Sequence, residues 1–194
     1  RQRQFNRRAF DNWLRCESHR LVVTKLLLPK SFGNRLTLAG VGNGNDVDLA
    51  VLSRHYSTMT LVDIDREAML CGLARQDRLN SECSVDVAEY DLSSGSWLNS
   101  KRSEVTASLC MFSQLVEQMP KIESNNQHLV AELRRSHLHM LVNNTKTGGR
   151  VVFVSDLVSA VTAPDIEQLR RARTVPNRRS RSSSRKGTSP QTSW

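Results

Sequence analysis

A glycine-rich turn between two apolar runs constrains the fold of this chain more than any other feature. Residues 36–39 form the first apolar run and residues 59–62 the second, and each predicts a strand buried on both faces. An acid, Asp63, follows the second run directly. Three glycines at alternate positions follow the first run: Gly40, Gly42 and Gly44. This order predicts a βαβ unit of a parallel sheet: a strand, a glycine turn, a helix-like segment, a second strand and a carboxylate.

The rest of the chain repeats this alternation. Further strands are predicted at residues 84–89, 104–112 and 150–155, and helices at residues 46–55, 65–78 and 127–143. Helical spacing also covers residues 5–28, Asp65 is a candidate N-cap, and a turn at residues 147–149 is expected to end the long helix. These elements predict an α/β fold of three layers, with a doubly wound, mostly parallel sheet between helices.

The glycine turn indicates a nucleotide site. A ligand over the carboxyl end of the first strand can approach the backbone closely only where side chains are absent, and the three glycines provide that clearance. Asp63 lies 19 residues after Gly44, about the length of one helix and one strand. Its carboxylate can accept hydrogen bonds from both hydroxyls of a ribose. The two features together predict an adenosine-like ligand.

Glycine spacing distinguishes two classes of nucleotide-binding protein. A dinucleotide-binding turn has the spacing GxGxxG, whose third glycine would fall where this chain has Asn45. The observed spacing, GxGxG, resembles the first motif of the class I S-adenosylmethionine-dependent methyltransferases. Three further landmarks of that family follow in order: Asp63 in LVDID after the second strand, Asp91 in AEYDL after the third, and the glycine pair in TKTGGRVVFV before the fifth.

The resemblance covers residues 35–156 and implies a Rossmann-like methyltransferase fold that binds S-adenosylmethionine over its first three strands. It implies methyl transfer by direct displacement, without a covalent nucleophile, and places residues 110–114 beside the methyl group. It also implies that Asn45 and Asp46 open the helix whose N-terminus faces the ligand. The cofactor-binding residues that it implies are Gly40, Gly42, Gly44, Asp63, Ile64, Asp91 and Leu92.

The sequence departs from the family pattern at two places. After the fourth strand, MFSQLVEQ lacks the Asn/Asp-Pro-Pro-aromatic signature of amino-group methylation, so no acceptor or catalytic residue is assigned. The family has a helix and a two-stranded hairpin after strand five, but only 36 residues follow Val158, so strands six and seven are expected to be missing. Together with the absent initiator Met, this raises the hypothesis of a truncated gene product.

Two alternatives to a methyltransferase enzyme stay open. The first is an incomplete or non-catalytic relative that acts in binding or nucleic-acid association. The second is an NAD(P)-binding Rossmann oxidoreductase, which Asn45 disfavours.

Charge and composition predict four segments. They are N-terminal helices at residues 1–34, a cofactor-binding core at residues 35–162, a helix at residues 163–173 and a disordered Arg/Ser-rich tail at residues 174–194. The net charge is +9, but eight basic residues and no acid lie from Arg170 onward, which leaves +1 for the rest. The tail could neutralise nucleic-acid phosphates. Without interleaved aromatic residues, an inert solvated tail is favoured.

The cysteine pattern favours an ordinary cytoplasmic protein. Four scattered cysteines with no CxxC pair indicate reduced thiols and no metal site: Cys16, Cys71, Cys83 and Cys110. No apolar run reaches the roughly 18 residues of a membrane span, so no membrane partner is expected.

Two sets of side chains have both ordinary and functional interpretations. His137 and His139 are two residues apart on a predicted helix, so they face different sides, and a packing or surface role is favoured over a shared metal. Phe5, Phe10 and Trp13 are expected either to form a lid over the ligand or to pack in the core, and the sequence favours neither.

Overall fold

The sheet is parallel because five short segments of β-branched and apolar residues alternate with helices along the chain. The computed structural model describes residues 2–31, 33–94, 97–111, 114–115 and 127–155. The strands are β1 (Gly33–Ala39), β2 (Tyr56–Asp63), β3 (Ser84–Glu89), β4 (Ser103–Leu109) and β5 (Thr145–Val154). The helices are α1 (Gln2–Ala9), α2 (Glu17–Leu27), α3 (Leu49–Leu52), α4 (Arg66–Arg75) and α5 (Gln127–Asn143), and a 3₁₀ helix covers Phe10–Trp13.

The strand order is β3-β2-β1-β4-β5, and every neighbouring pair is parallel. The chain runs outward from β1 to β3 on one side and then returns to place β4 and β5 on the other. Ligands of open α/β sheets bind at such a reversal, in the crevice outside the carboxyl ends of the strands. The position of β1 between β2 and β4 therefore puts the glycine turn at this crevice.

Helices cover both faces of the sheet, so the molecule has three layers. Leu38 and Leu61 pack in one buried cluster that includes Leu27 of α2 and Leu52 of α3. The next residue of each strand, Ala39 or Val62, packs in a second cluster with residues of α5. Successive side chains of a strand point to opposite faces, which explains the two clusters. The predicted fold class, a three-layer α/β protein with a parallel sheet, is confirmed.

The predicted helix at residues 46–55 is mostly wrong. Helix α3 covers only Leu49–Leu52 because Asp48 is its N-cap and accepts a hydrogen bond from the Val51 amide at 2.9 Å. Asn45 and Asp46 therefore lie in the turn before the helix and do not open it. The N-cap predicted at Asp65 is correct, since its carboxylate accepts from the amide of Ala68.

The predicted turn at residues 147–149 is also wrong, because strand β5 begins at Thr145 and runs through both glycines. The register between β4 and β5 shifts between Ser103 and Val105. Gly148 has a φ of 76°, which is left-handed backbone of the kind that a bulge requires. The glycine pair thus forms an irregularity within the strand. Strands β1 and β2 begin earlier than predicted and β4 ends earlier.

Several predictions fall outside the described residues: the helix at 163–173, the tail at 174–194 and the missing strands six and seven. None of the helices in the described part of the chain has the length and apolar character that a membrane span requires.

Candidate functional site

The glycine turn has backbone geometry that other residues rarely adopt. The φ angles of Gly40, Gly42 and Gly44 are 78°, 48° and 66°, all left-handed. A Cβ atom added at Gly40 would lie 2.0 Å from Cγ of Met111, which follows β4. The turn therefore depends on glycine both for its backbone conformation and for its close approach to the neighbouring strand end.

Asp63 joins the end of β2 to this turn. Its side chain is 6% exposed, and its Oδ2 accepts a hydrogen bond from the Gly42 amide at 2.9 Å. Its Oδ1 accepts from the Asp65 amide at 3.0 Å. Burial raises the pKa of Asp63, and the backbone hydrogen bonds from Asp65 and Gly42 oppose part of that rise. A carboxylate that is held by backbone amides while buried is a candidate for ligand binding.

Two cavities meet at Asp63. The glycine-turn cavity encloses about 320 Å³ and is lined in part by Gly40, Gly42, Asp63 and Gln114. Its volume is at the lower end of the range for small-molecule sites. Asp63 and Gln114 also line a second, smaller space of about 30 Å³, the β3 cavity.

The β3 cavity brings together the remaining predicted residues. Ile64, Asp91 and Leu92 line it with Asp63. Asp91 accepts a hydrogen bond from the Ser93 amide at 2.9 Å, Leu92 is buried, and Ile64 is 40% exposed. Six of the seven predicted cofactor-binding residues therefore line at least one of the two cavities.

Gly44 lines neither cavity. Its amide donates to the carbonyl oxygen of Val41 at 2.8 Å, and its own carbonyl accepts from Nε2 of Gln76 at 3.2 Å. These contacts shape the turn and fix it against the end of α4. Gly44 therefore has a structural role within the site.

Helix α1 covers the glycine turn and is held there by asparagine side chains. Nδ2 of Asn43 donates to the Asn6 carbonyl, and Nδ2 of Asn45 donates to the Ala9 carbonyl at 2.7 Å. Nδ2 of Asn6, which is buried, donates to Oδ2 of Asp65 at 3.0 Å. These contacts are not predicted from the sequence, although the asparagines in VGNGND are a signal for them.

The three aromatic residues before α2 do not share one role. Phe5 is 56% exposed and lines the glycine-turn cavity, as a lid residue would. The guanidinium of Arg75 instead lies 4.6 Å from the ring centres of both Phe10 and Trp13. The same guanidinium donates to Oδ1 of Asn45 at 2.8 Å. Phe10 and Trp13 therefore hold a cation that fixes the turn.

Three potential metal ligands also meet at the glycine-turn cavity: His19, Asp46 and Cys110. They come from separate parts of the chain, so no local spacing in the sequence could have identified them. Cys110 is the one non-glycine residue with positive φ, 50°, in the part of the chain that the structure describes.

No protein-family model matches the sequence, and no curated protein matches it. Several solved structures are similar in fold. An O-methyltransferase family protein from Burkholderia thailandensis has a TM-score of 0.53 at 17% identity, over 78% of this chain and 40% of that chain.

Two further similar structures contain S-adenosylhomocysteine. A SAM-dependent methyltransferase from Thiobacillus denitrificans has a TM-score of 0.48 at 16% identity, over 70% of this chain and 47% of that chain. The N-methyltransferase NodS from Bradyrhizobium japonicum has a TM-score of 0.45 at 15% identity, over 76% of this chain and 60% of that chain. The chain thus spans 40% to 60% of the length of these three proteins.

Identity this low establishes the fold alone. The described part of the chain has the class I methyltransferase fold, as the motif resemblance implied.

Proposed function

We propose that this chain binds S-adenosylmethionine across the carboxyl ends of β1, β2 and β3 and transfers its methyl group to an acceptor. One observation carries the proposal: the hydrogen bond between the Gly42 amide and Asp63, which joins the two segments that the motif resemblance assigns to the cofactor. The crystals of two proteins of similar fold contain S-adenosylhomocysteine, the demethylated product.

The residues fit such a ligand in position and chemistry. Each carboxylate oxygen of Asp63 accepts one backbone amide and keeps a second acceptor site, so both can also accept a ribose hydroxyl. Gly40 and Gly42 leave the adjoining wall free of side chains. Ile64, Asp91 and Leu92 line the small space on the other side of Asp63 and would border the adenine there once that space widens to admit it.

The chemistry of the bound cofactor is that of a sulfonium, which carries a methyl group ready for direct displacement. The chain's own contribution is alignment, because holding two reactants in an attack geometry removes much of the entropic barrier. Gln114 lines both cavities and Cys110 lines the glycine-turn cavity, so the end of β4 borders the space that the acceptor would enter.

Calorimetric titration of the full chain with S-adenosylmethionine, S-adenosylhomocysteine and NAD tests the proposal. We expect both adenosyl ligands to bind and the substitution Asp63→Ala to weaken them by about 2 to 4 kcal/mol, since two hydrogen bonds to a charged group are lost. Asp86→Ala, at an exposed position of β3, is the matched control and should leave the affinity unchanged.

The titration also separates the alternatives. A folded chain that binds neither adenosyl ligand would show that the proposal is wrong. Tight binding of NAD would favour the oxidoreductase instead. Binding that Asp63→Ala leaves intact would place the ribose elsewhere.

A further inference from the structure

A histidine, an aspartate and a cysteine converge on one wall of the glycine-turn cavity. His19 belongs to α2, Asp46 to the turn between β1 and α3, and Cys110 follows the last residue of β4. One ligand atom from each residue lies within 4.8 Å of the other two. Three elements of the fold, distant in sequence, thus bring together one nitrogen, one oxygen and one sulfur donor.

The separation of the nitrogen and oxygen donors suits a tetrahedral metal ion. Zinc binds imidazole nitrogen and carboxylate oxygen at about 2.0 to 2.2 Å, so two such ligands of a tetrahedron are roughly 3.3 to 3.5 Å apart. Nε2 of His19 and Oδ1 of Asp46 are 3.3 Å apart. A thiolate has a longer bond, of about 2.3 Å, so its sulfur belongs slightly farther from the other two atoms. The sulfur of Cys110 lies within 4.8 Å of both. The three donor atoms are therefore close to the arrangement of a metal ligand set before any ion binds.

The donor types select a class of metal. One thiolate, one imidazole and one carboxylate form a mixed set that suits a borderline ion such as Zn²⁺ or Co²⁺, whereas Mg²⁺ and Ca²⁺ prefer oxygen ligands alone. The side chains are accessible from the cavity, with His19 44% and Asp46 28% exposed. An ion can therefore enter without unfolding the site.

We propose that His19, Asp46 and Cys110 bind one Zn²⁺-type ion. The Cys110 thiol gives up its proton to solvent as the metal–sulfur bond forms, which leaves one thiolate, one neutral imidazole and one carboxylate around the ion. Zinc sites with three protein ligands keep a fourth position for water or substrate. At this site that position belongs to the cavity, so the ion would take a thiol, hydroxyl or carboxylate ligand there.

The ordinary interpretation of the same residues is an ion pair between His19 and Asp46 that lies near the Cys110 thiol. A pair between His19 and Asp46 at this exposure contributes little to stability. The two interpretations differ in one measurable respect, since only a metal site requires Cys110 together with the other two side chains.

Metal binding by the full chain, freed of metal by a chelator and kept reduced, distinguishes them. We expect one equivalent of Zn²⁺ to compete with a chromophoric indicator, and Co²⁺ to give a thiolate-to-metal charge-transfer band. Loss of a residue that merely supports a metal ligand costs about 10- to 100-fold in affinity, so His19→Ala, Asp46→Asn and Cys110→Ser should each cost at least about 100-fold. Cys110→Ser should also abolish the cobalt band.

Matched controls use residues of the same types at exposed positions: His55→Ala, Asp86→Asn and Cys71→Ser, which should bind zinc as the parent chain does. His19→Ala is the decisive variant because the side chain is exposed on α2, so its removal should leave the metal-free melting temperature unchanged. Absence of stoichiometric zinc binding, or zinc binding that survives Cys110→Ser, would overturn the proposal.

The proposal does not rest on methyl-donor binding. A chain that binds zinc but not S-adenosylmethionine would refute the proposed function alone. A chain that binds S-adenosylmethionine but not zinc would refute the metal site alone.

Discussion

The two faces of the central strands are buried to the same extent but built from different chemistry. Toward α2, α3 and α4, the strands present apolar side chains that are at most 4% exposed: Leu36, Leu38, Met59, Leu61, Val105 and Ala107. On the face toward α5, the alternate positions carry hydroxyl groups that are at most 7% exposed: Thr37, Thr60, Thr106 and Ser108. We call these the apolar face and the hydroxyl face.

The hydroxyl face is satisfied by specific partners. Oγ1 of Thr60 accepts from Asn99 at 3.3 Å, Oγ1 of Thr106 donates to the Asn144 carbonyl at 3.3 Å, and Oγ of Ser108 lies 2.8 Å from Nε2 of His137. Buried hydroxyl groups are costly without such partners. The apolar face therefore supplies most of the hydrophobic stabilisation, while the hydroxyl face fixes where α5 and the loop at Asn99 pack.

The largest expected effect is on the apolar face. Leu61→Ala removes a side chain with no exposure from the centre of the sheet and should lower the free energy of unfolding by about 3 to 5 kcal/mol, through lost burial and a residual cavity. Urea denaturation measures the change. Leu21→Ala on α2, where the side chain is 71% exposed, is the control and should cost less than about 0.5 kcal/mol. Equal costs would contradict the assignment of the apolar face as the main core.

A smaller loss is expected on the hydroxyl face. Ser108→Ala should cost about 1 to 3 kcal/mol because the buried ring of His137 loses its partner at Nε2. Its Nδ1 has no partner among the described residues. Adding His137→Leu to Ser108→Ala should recover part of the lost free energy of unfolding. Replacing both partners of a buried hydrogen bond by apolar groups costs less stability than leaving one polar partner buried and unsatisfied.

The control for that pair is Ser57→Ala, which removes an exposed hydroxyl bonded to the Asn34 carbonyl. Additive costs for Ser108→Ala and His137→Leu would mean that the two side chains are not coupled.

The sequence predicts the apolar face better than the hydroxyl face for a physical reason. Leu38 and Leu61 need only be apolar and central to be buried, and their strands show this locally. A buried Thr60 or Ser108 needs a partner, and the partners Asn99 and His137 lie 39 and 29 residues away. Packing at that distance leaves no local signal, so His137 could be predicted as a packing residue but its hydrogen bond could not.

The candidate site also contains residues that the sequence predicts and residues that only the fold reveals. Gly40 and Gly42 were identifiable because left-handed backbone and close approach are properties of the glycine itself. The asparagine anchors of α1 depend on the docking of a helix 36 residues before Asn45. The ligand set of His19, Asp46 and Cys110 needs three elements to meet, which only the fold can show.

The smallest expected effect concerns pH and separates His137 from its neighbour. Burial lowers the pKa of His137 in the folded chain, so the unfolded chain takes up a proton first as the pH falls. Stability is therefore complete above the unfolded-state pKa of about 6.5 and is lost as the pH falls from there toward the folded-state value, by no more than about 1.4 kcal/mol per pH unit. Urea denaturation from pH 7.5 to pH 5 should show this loss of stability for the parent chain and a flatter profile for His137→Leu. The control is His139→Leu, whose side chain is exposed on the same helix and which should give the same profile as the parent chain. Parallel profiles for the parent chain and His137→Leu would show that the ring stays accessible to protons, and the hydroxyl face would then be open to water at β4.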